Sequence, residues 1–194
     1  MSGTQAERPL RSDARRNRAK LLDVAEQVFA EKGTSASTEE VARRAGVGIG
    51  TVFRHFPTKA DLLEAVFVAR LHRLADEADR LAAAADPGAA FFAFFTQMVE
   101  SAPQKNALSE ALTAVGVDVA ETASPIKEAF RRSVSTLLER AQACGAVRPD
   151  IGFAEVITLL VSASYGAEHP FTAPDVRARA LAVVLDGLRP RRDG

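Results

Sequence analysis

Apolar residues recur at intervals of three and four along almost the whole chain, the spacing of one face of an α-helix. Leu21, Ala25, Val28 and Phe29 form such a stripe on a helix predicted over about 13–31, with Gly33 as its cap. Val41 and Ala45 mark the inward face of a short second helix. Ser37 and Glu40 open it as a Ser-x-x-Glu capping box. Gly46 supplies a tight turn, and Val47 is the apolar residue beyond it. A third short helix, about 49–55, is anchored by Val52 and Phe56 and closed by Pro57. Downstream, prolines at 57, 87, 103, 125, 149, 170, 174 and 190 punctuate the pattern, and each tends to start or stop a helix. The pieces between them predict helices at about 58–85, 88–101, 104–115, 124–143, 151–166 and 174–188. Thr58 with Asp61 gives the first of these a capping-box-like start. Gly145 reads as a C-terminal cap and Asp150 as the N-cap of the helix after it. Short alternating runs with β-branched residues are almost absent. The expected fold is all-α, with about nine helices.

Two short helices joined by a tight glycine turn make a helix-turn-helix. The second helix of that motif enters the major groove and reads base edges with its N-terminal part. Gly48 and Gly50 carry no side chain, so the backbone there can approach DNA closely. Thr51 offers a hydroxyl and a methyl group to a phosphate or a thymine. Arg54 and His55 are polar on a helix otherwise anchored inward. Lys59 stands at a helix start, where amides and an ammonium together attract phosphate.

Charge sharpens this picture. The chain has 194 residues and equal numbers of basic and acidic side chains, 25 of each. The balance is not uniform. Residues 1–60 hold 11 Lys/Arg and 7 Asp/Glu, a net of +4; the rest holds 14 and 18, a net of −4. Arg8, Arg11, Arg15, Arg16, Arg18 and Lys20 crowd one segment against Asp13, and such a run can neutralise phosphates. A basic head therefore precedes an acidic body. The single cysteine, Cys144, forms no intramolecular disulfide, which fits a reducing cytosol. One Cys and three His make a zinc module improbable, and no metal or cofactor is expected. No run of 18 residues is uninterruptedly apolar, so no membrane span is expected. No apolar stretch follows the N-terminal arginines as a secretory signal requires. The expected location is the cytoplasm.

The run from Val41 to Leu63 resembles the DNA-binding signature of tetracycline-repressor (TetR) family regulators. Phe29, Gly33, Ala45-Gly46-Val47, Gly50-Thr51, His55-Phe56 and Lys59 carry the likeness at fixed spacing, over about residues 15–65. The resemblance implies a homodimer with a three-helix DNA-binding head and a helical body holding a ligand pocket and the dimer interface. It divides the chain into a head, 1–57, and a body, 58–194. The implied DNA contacts are Arg15, Arg16, Ser37, Thr38, Arg43, Gly48, Ile49, Gly50, Thr51, Phe53, Arg54, His55 and Lys59. Two departures matter. Gly48 stands where the family often has Ser, which removes a side-chain cap. Phe53 stands where it usually has Tyr, which removes a hydroxyl able to touch phosphate. Glu39, near the start of the second helix, can repel phosphate or accept from a cytosine amino group.

In the body, Phe91, Phe92, Phe94 and Phe95 cover more than one helix face, so one can meet a core and another a cavity. The resemblance places a pocket among these helices. The candidates to line it are Phe92, Phe95, Thr96, Val99, Thr113, Phe130, Val134, Thr158, Ser162 and Tyr165. The last two helices carry apolar stripes broader than one face, which suggests a partner surface. The resemblance makes that partner a second copy, through Phe153, Ile157, Leu160, Val161, Ser164, Val176, Ala180, Val183, Val184 and Gly187. The function expected is a dimeric repressor bound to operator DNA and released by a small, largely apolar effector. The chain lacks a nucleophile elbow, a phosphate loop and a metal-ligand cluster, so an enzyme is not expected. The second reading is a helical ligand-binding or interaction protein that no longer reads DNA.

Overall fold

The structure is a computed structural model. It describes the backbone of residues 7–168 and 173–190, and the side chains of residues 16–166 and 173–190. Among the described residues the chain is helical throughout: α1 (Glu7–Lys32), α2 (Thr38–Ala45), α3 (Ile49–His55), α4 (Lys59–Ala82), α5 (Pro87–Ala114), α6 (Val119–Ala143), α7 (Phe153–Glu168) and α8 (Pro174–Gly187). The chain packs as two compact units. One comprises the residues up to Ala69 with Ala107–Val119; the other comprises Arg70–Asn106 with the residues from Ala120 onward. The packing units part within α4, after Ala69, rather than at the 57/58 boundary expected.

Eight helices stand where nine were expected, because α5 runs unbroken through Pro103. A proline inside a helix removes one backbone hydrogen bond and costs about 3 kcal/mol. Val99, Ala102, Leu108 and Leu112 are buried on either side of it. A buried Val or Leu side chain contributes roughly 1.5–3 kcal/mol, enough to hold the helix across the defect. Pro125 likewise lies inside α6, in its second turn.

The first unit buries Leu21, Ala25, Val28 and Phe29 of α1 with Val41, Ala42 and Ala45 of α2, Val52 of α3, and Phe56. Ser37 caps α2, its hydroxyl accepting from the Glu40 amide at 3.3 Å. The expected box is one-sided, because the Glu40 carboxylate turns instead to Lys32 and Arg43. Gly46 takes φ 70°, in the left-handed region that glycine enters without steric cost. Its amide and that of Val47 return to carbonyls at the end of α2, which fixes the turn. Thr58 and Asp61 form the reciprocal box: the Thr58 amide donates to the Asp61 carboxylate at 2.8 Å and the Asp61 amide to the Thr58 hydroxyl at 3.1 Å.

The second unit centres on Phe91, Phe94 and Phe95 of α5, Val134, Leu137 and Leu138 of α6, and Val156 and Leu160 of α7. Gly145 ends α6 in the left-handed region as expected. Asp150 is not the N-cap of α7. It forms two 2.6 Å bonds with Arg148, and the Gly152 amide donates to Glu155 at the helix start.

Candidate functional site

α3 has seven residues, too few for a stable helix alone. Val52 and Phe56 bury one side of it, and the Phe56 amide closes the last turn on the Val52 carbonyl at 2.8 Å. This anchoring leaves the opposite face outward. Gly48, Ile49, Gly50, Phe53 and Arg54 are exposed there, with Thr51 and His55 half-buried beside them. A Cβ at Gly48 or Gly50 would meet nothing within 4 Å, so both lie in open space within the protein. Gly48 caps the helix with no side-chain hydrogen bond. Phe53 is 42% exposed, an apolar ring on a polar surface.

The remaining candidates divide. Ser37 is exposed, Lys59 is half-buried at the first position of α4, and Arg16 is exposed on α1. Arg15 lies outside the described side chains. Thr38 differs from expectation: it is only 7% exposed, and its hydroxyl lies 3.5 Å from the Glu39 carboxylate. Arg43 is exposed but already engaged, donating to both Glu40 oxygens at 2.9 and 2.8 Å. Lys32 reaches the same carboxylate at 2.6 Å. Hydrogen bonds from Arg43, then from Lys32, lower the Glu40 carboxyl to about 2. Arg44 pairs with Glu31 at 2.7 Å. Glu39 stays exposed at the start of α2. Its own backbone amide, then the Ser37 and Thr38 side chains, hold its carboxyl below the usual range. Arg18, whose guanidinium lies 5.0 Å from the Phe56 ring centre, brings a further cation to the end of α3. It was legible only as one of six basic residues in the N-terminal run.

In the second unit a cavity of about 320 Å³ opens between α4, α5, α6 and α7. Leu71 and Leu74 of α4 form one wall and Met98, Ser101, Ala102, Lys105 and Asn106 of α5 another. Ala123, Lys127 and Phe130 come from α6, and Ile157, Leu160, Val161, Ser164 and Tyr165 from α7. Of the ten expected lining residues, Phe130 and Tyr165 are here. Val99 and Ser162 line a separate groove of about 680 Å³ between α5, α7 and α8. Phe95 and Val134 are fully buried in the core. Phe92 is covered by Arg189, whose guanidinium lies 4.3 Å from its ring centre. Thr96 is half-buried and lines neither space. Thr158 donates to the Ala154 carbonyl. Thr113 belongs to the first unit and bonds the Ser109 carbonyl.

Two family profiles match consecutive parts of this chain. Residues 21–66 match "Bacterial regulatory proteins, tetR family" and residues 86–190 match "Transcriptional regulator SbtR-like, C-terminal domain". The chain belongs to the TetR family. The solved TetR transcription regulatory protein of Mycobacterium vanbaalenii is 43% identical, with 94% of this chain and all of that one covered at a TM-score of 0.77. A TetR transcriptional regulator from Streptomyces coelicolor is 33% identical, covering 90% and 99%, with a TM-score of 0.73. Among curated relatives, the transcriptional repressor KstR of Mycobacterium tuberculosis is 30% identical over 75% of this chain and 67% of its own length. As a TetR-family member the chain is a DNA-binding transcriptional regulator, and α2, the Gly46 turn and α3 are its helix-turn-helix.

The TetR body also presents an uncovered surface. No residue of α8 is buried. Val183 is 71% exposed and Val176 is 41% exposed; Ala180 and Gly187 are exposed beside them, with Val184 half-buried. On α7 the expected interface residues separate. Ile157, Leu160, Val161 and Ser164 line the cavity, and Phe153 packs half-buried against the core. Among the described residues no helix is long and apolar enough to cross a membrane.

Proposed function

We propose that this regulator is a homodimeric repressor that reads a palindromic operator through α3 and is released by a small, largely apolar effector. One observation carries the reading: α3 is held by Val52 and Phe56 while Gly48, Ile49, Gly50, Phe53 and Arg54 face outward. Thr51, Phe53, Arg54 and His55 are the groups for bases and nearby sugar or phosphate. Arg15, Arg16, Ser37, Arg43 and Lys59 serve the backbone, Arg43 by exchanging its Glu40 partner for phosphate. The exposed apolar face of α8 supports a two-fold partner of the same chain. The repressor polarity is supported by the name of the KstR relative.

Helix α4 supports coupling between effector and DNA. Lys59 begins it, and Leu71 and Leu74 on the same rod line the cavity. A ligand that favours one setting of α4 shifts DNA affinity by the ratio of its affinities for the two states, roughly 5–150-fold for a typical coupling. The test selects bound sequences from random DNA and titrates the resulting operator by fluorescence anisotropy at several salt concentrations. A palindrome, a dimer by sedimentation and a slope of about −0.9 per phosphate contacted are expected. Salt-independent affinity, or tight binding by a monomer, would overturn the reading.

A further inference from the structure

We infer that Ile49 and Phe53 together read thymine methyl groups, so that each operator half-site carries two thymines one or two base steps apart. This rests on the DNA-reading role of α3 and adds the chemical group that the helix selects. The two side chains stand at positions i and i+4 of α3, where Cβ atoms lie about 5–6 Å apart. They form an apolar row beside the buried row of Val52 and Phe56. Successive base pairs rise about 3.4 Å, so such a row spans one or two steps. Ile49 is 36% exposed and Phe53 42%. No other large apolar side chain is exposed among the described residues up to Ala69. Phe53 is the one exposed phenylalanine among all the described residues.

The neighbouring ring shows the contrast. Phe56 is buried, with the Arg18 guanidinium 5.0 Å and the His55 ring 6.3 Å from its ring centre. Phe53 makes no ring or cation contact among the described residues. An apolar ring has no donor for a phosphate, so it gains by removing another apolar group from water. In the major groove the C5-methyl of thymine is the apolar substituent that the bases present. The net charge of +4 over residues 1–60 makes a polyanion the occupant of this face. Access is open as well. Gly48 and Gly50 flank Ile49, and nothing lies within 4 Å of where their Cβ atoms would stand. A methyl group therefore reaches the row without meeting a side chain at either glycine.

The test uses the full-length protein and the duplex it selects from random DNA. That duplex is synthesised with thymidine and then, one position at a time, with deoxyuridine, which lacks only the C5-methyl. Affinities are read by fluorescence anisotropy. Loss of a contacted methyl should weaken binding about fourfold, the scale of burying one such group. Deoxyuridine outside the half-sites should change nothing. Ile49→Ala and Phe53→Ala should each abolish the penalty at one position of each half-site. The double variant should bind thymidine and deoxyuridine duplexes alike, and the single variants carry the same comparison where it binds too weakly to titrate. Its salt slope should equal that of wild type, because no phosphate contact is removed. Its thermal midpoint should not fall, because both side chains are exposed, and this reports a folded head. Equal binding of the two duplexes by wild type overturns the inference and leaves the DNA-reading role intact. So does a selected half-site without neighbouring thymines, or a deoxyuridine penalty that survives in the variants. No salt-dependent binding to either duplex overturns both readings.

Discussion

In the head, Leu21, Ala25, Val28, Val41 and Val52 close on one another from α1, α2 and α3, within a span of about thirty residues. In the body, Phe91, Phe94, Phe95, Val134, Leu137 and Val156 are buried just as completely, but they arrive from helices far apart in sequence. The body also keeps an open volume beside that core. In the head the buried apolar positions of α1, α2 and α3 hold one helix face outward. In the body helix packing is less than complete, and the residue types around the gap define what it can hold. The head is organised around a presented surface and the body around an enclosed space.

The largest expected effects come from paired core truncations, one per region. Phe56→Ala and Phe95→Ala should each cost about 3–5 kcal/mol, measured by thermal unfolding. Phe56→Ala should abolish operator binding while the cavity still takes up an apolar fluorescent probe. Phe95→Ala should weaken uptake of that probe first. Loss of both activities in both variants would show that the two regions do not divide labour in this way.

Next come contacts on the outward face. Arg54→Ala should cost roughly 1–3 kcal/mol at particular base pairs, seen as an altered preference in anisotropy with operator variants. Lys59→Ala should weaken all sequences alike and reduce the salt slope, because phosphate contacts carry little sequence information. Exchanged behaviour of the two would reverse their roles.

Smaller effects sharpen the contrast between a capped and an uncapped helix. Ser37→Ala removes the α2 cap and should cost about 1 kcal/mol. Gly48→Ser should instead stabilise by roughly 0.4–1 kcal/mol, since the backbone there is extended and the Cβ has room. Thermal midpoints of the two variants should move in opposite directions.

The smallest effect concerns pH. The Glu40 carboxyl is lowered from 4.5 to about 2 by Arg43 and Lys32, so its contribution is complete above the unfolded value and lost as pH falls through the folded one. Wild-type protein should therefore lose its thermal advantage over Glu40→Gln between about pH 4.5 and 2. The difference should stay constant above that window.

The head was largely legible because each of its signals is local. Ser37, Gly46, Val52, Phe56, Thr58 and Asp61 act on backbone within four residues of themselves, so spacing alone reveals them. Thr38 was misread because burial depends on what packs over it, not on its neighbours in sequence. In the body the helices were legible but the cavity was not. The break expected at Pro103 divided a single α5 face, Met98, Ser101, Ala102, Lys105 and Asn106, whose spacing is regular only when the helix continues. Lys105 and Lys127 gave no signal, since a lysine on a helix is ordinarily a solvated one. Phe92 and Phe95 looked like cavity aromatics because the sequence does not reveal that Arg189 covers one ring and the core encloses the other.

The seven residues of α3, with a glycine at its cap and another at its second position, also have a consequence in time. Such a helix gains little from its own propensity, and its order comes from Val52 and Phe56 near its far end. Its first turn, which has no side-chain cap, is therefore expected to open more readily than that of α2, which Ser37 caps. Amide hydrogens of Thr51 and its neighbours should exchange early in the unliganded protein, while those of Val41 and Phe56, bonded to the Ser37 and Val52 carbonyls, remain protected. The reading surface is thus a segment whose lifetime is set elsewhere in the head, and slowing that flicker is part of what a bound duplex must do.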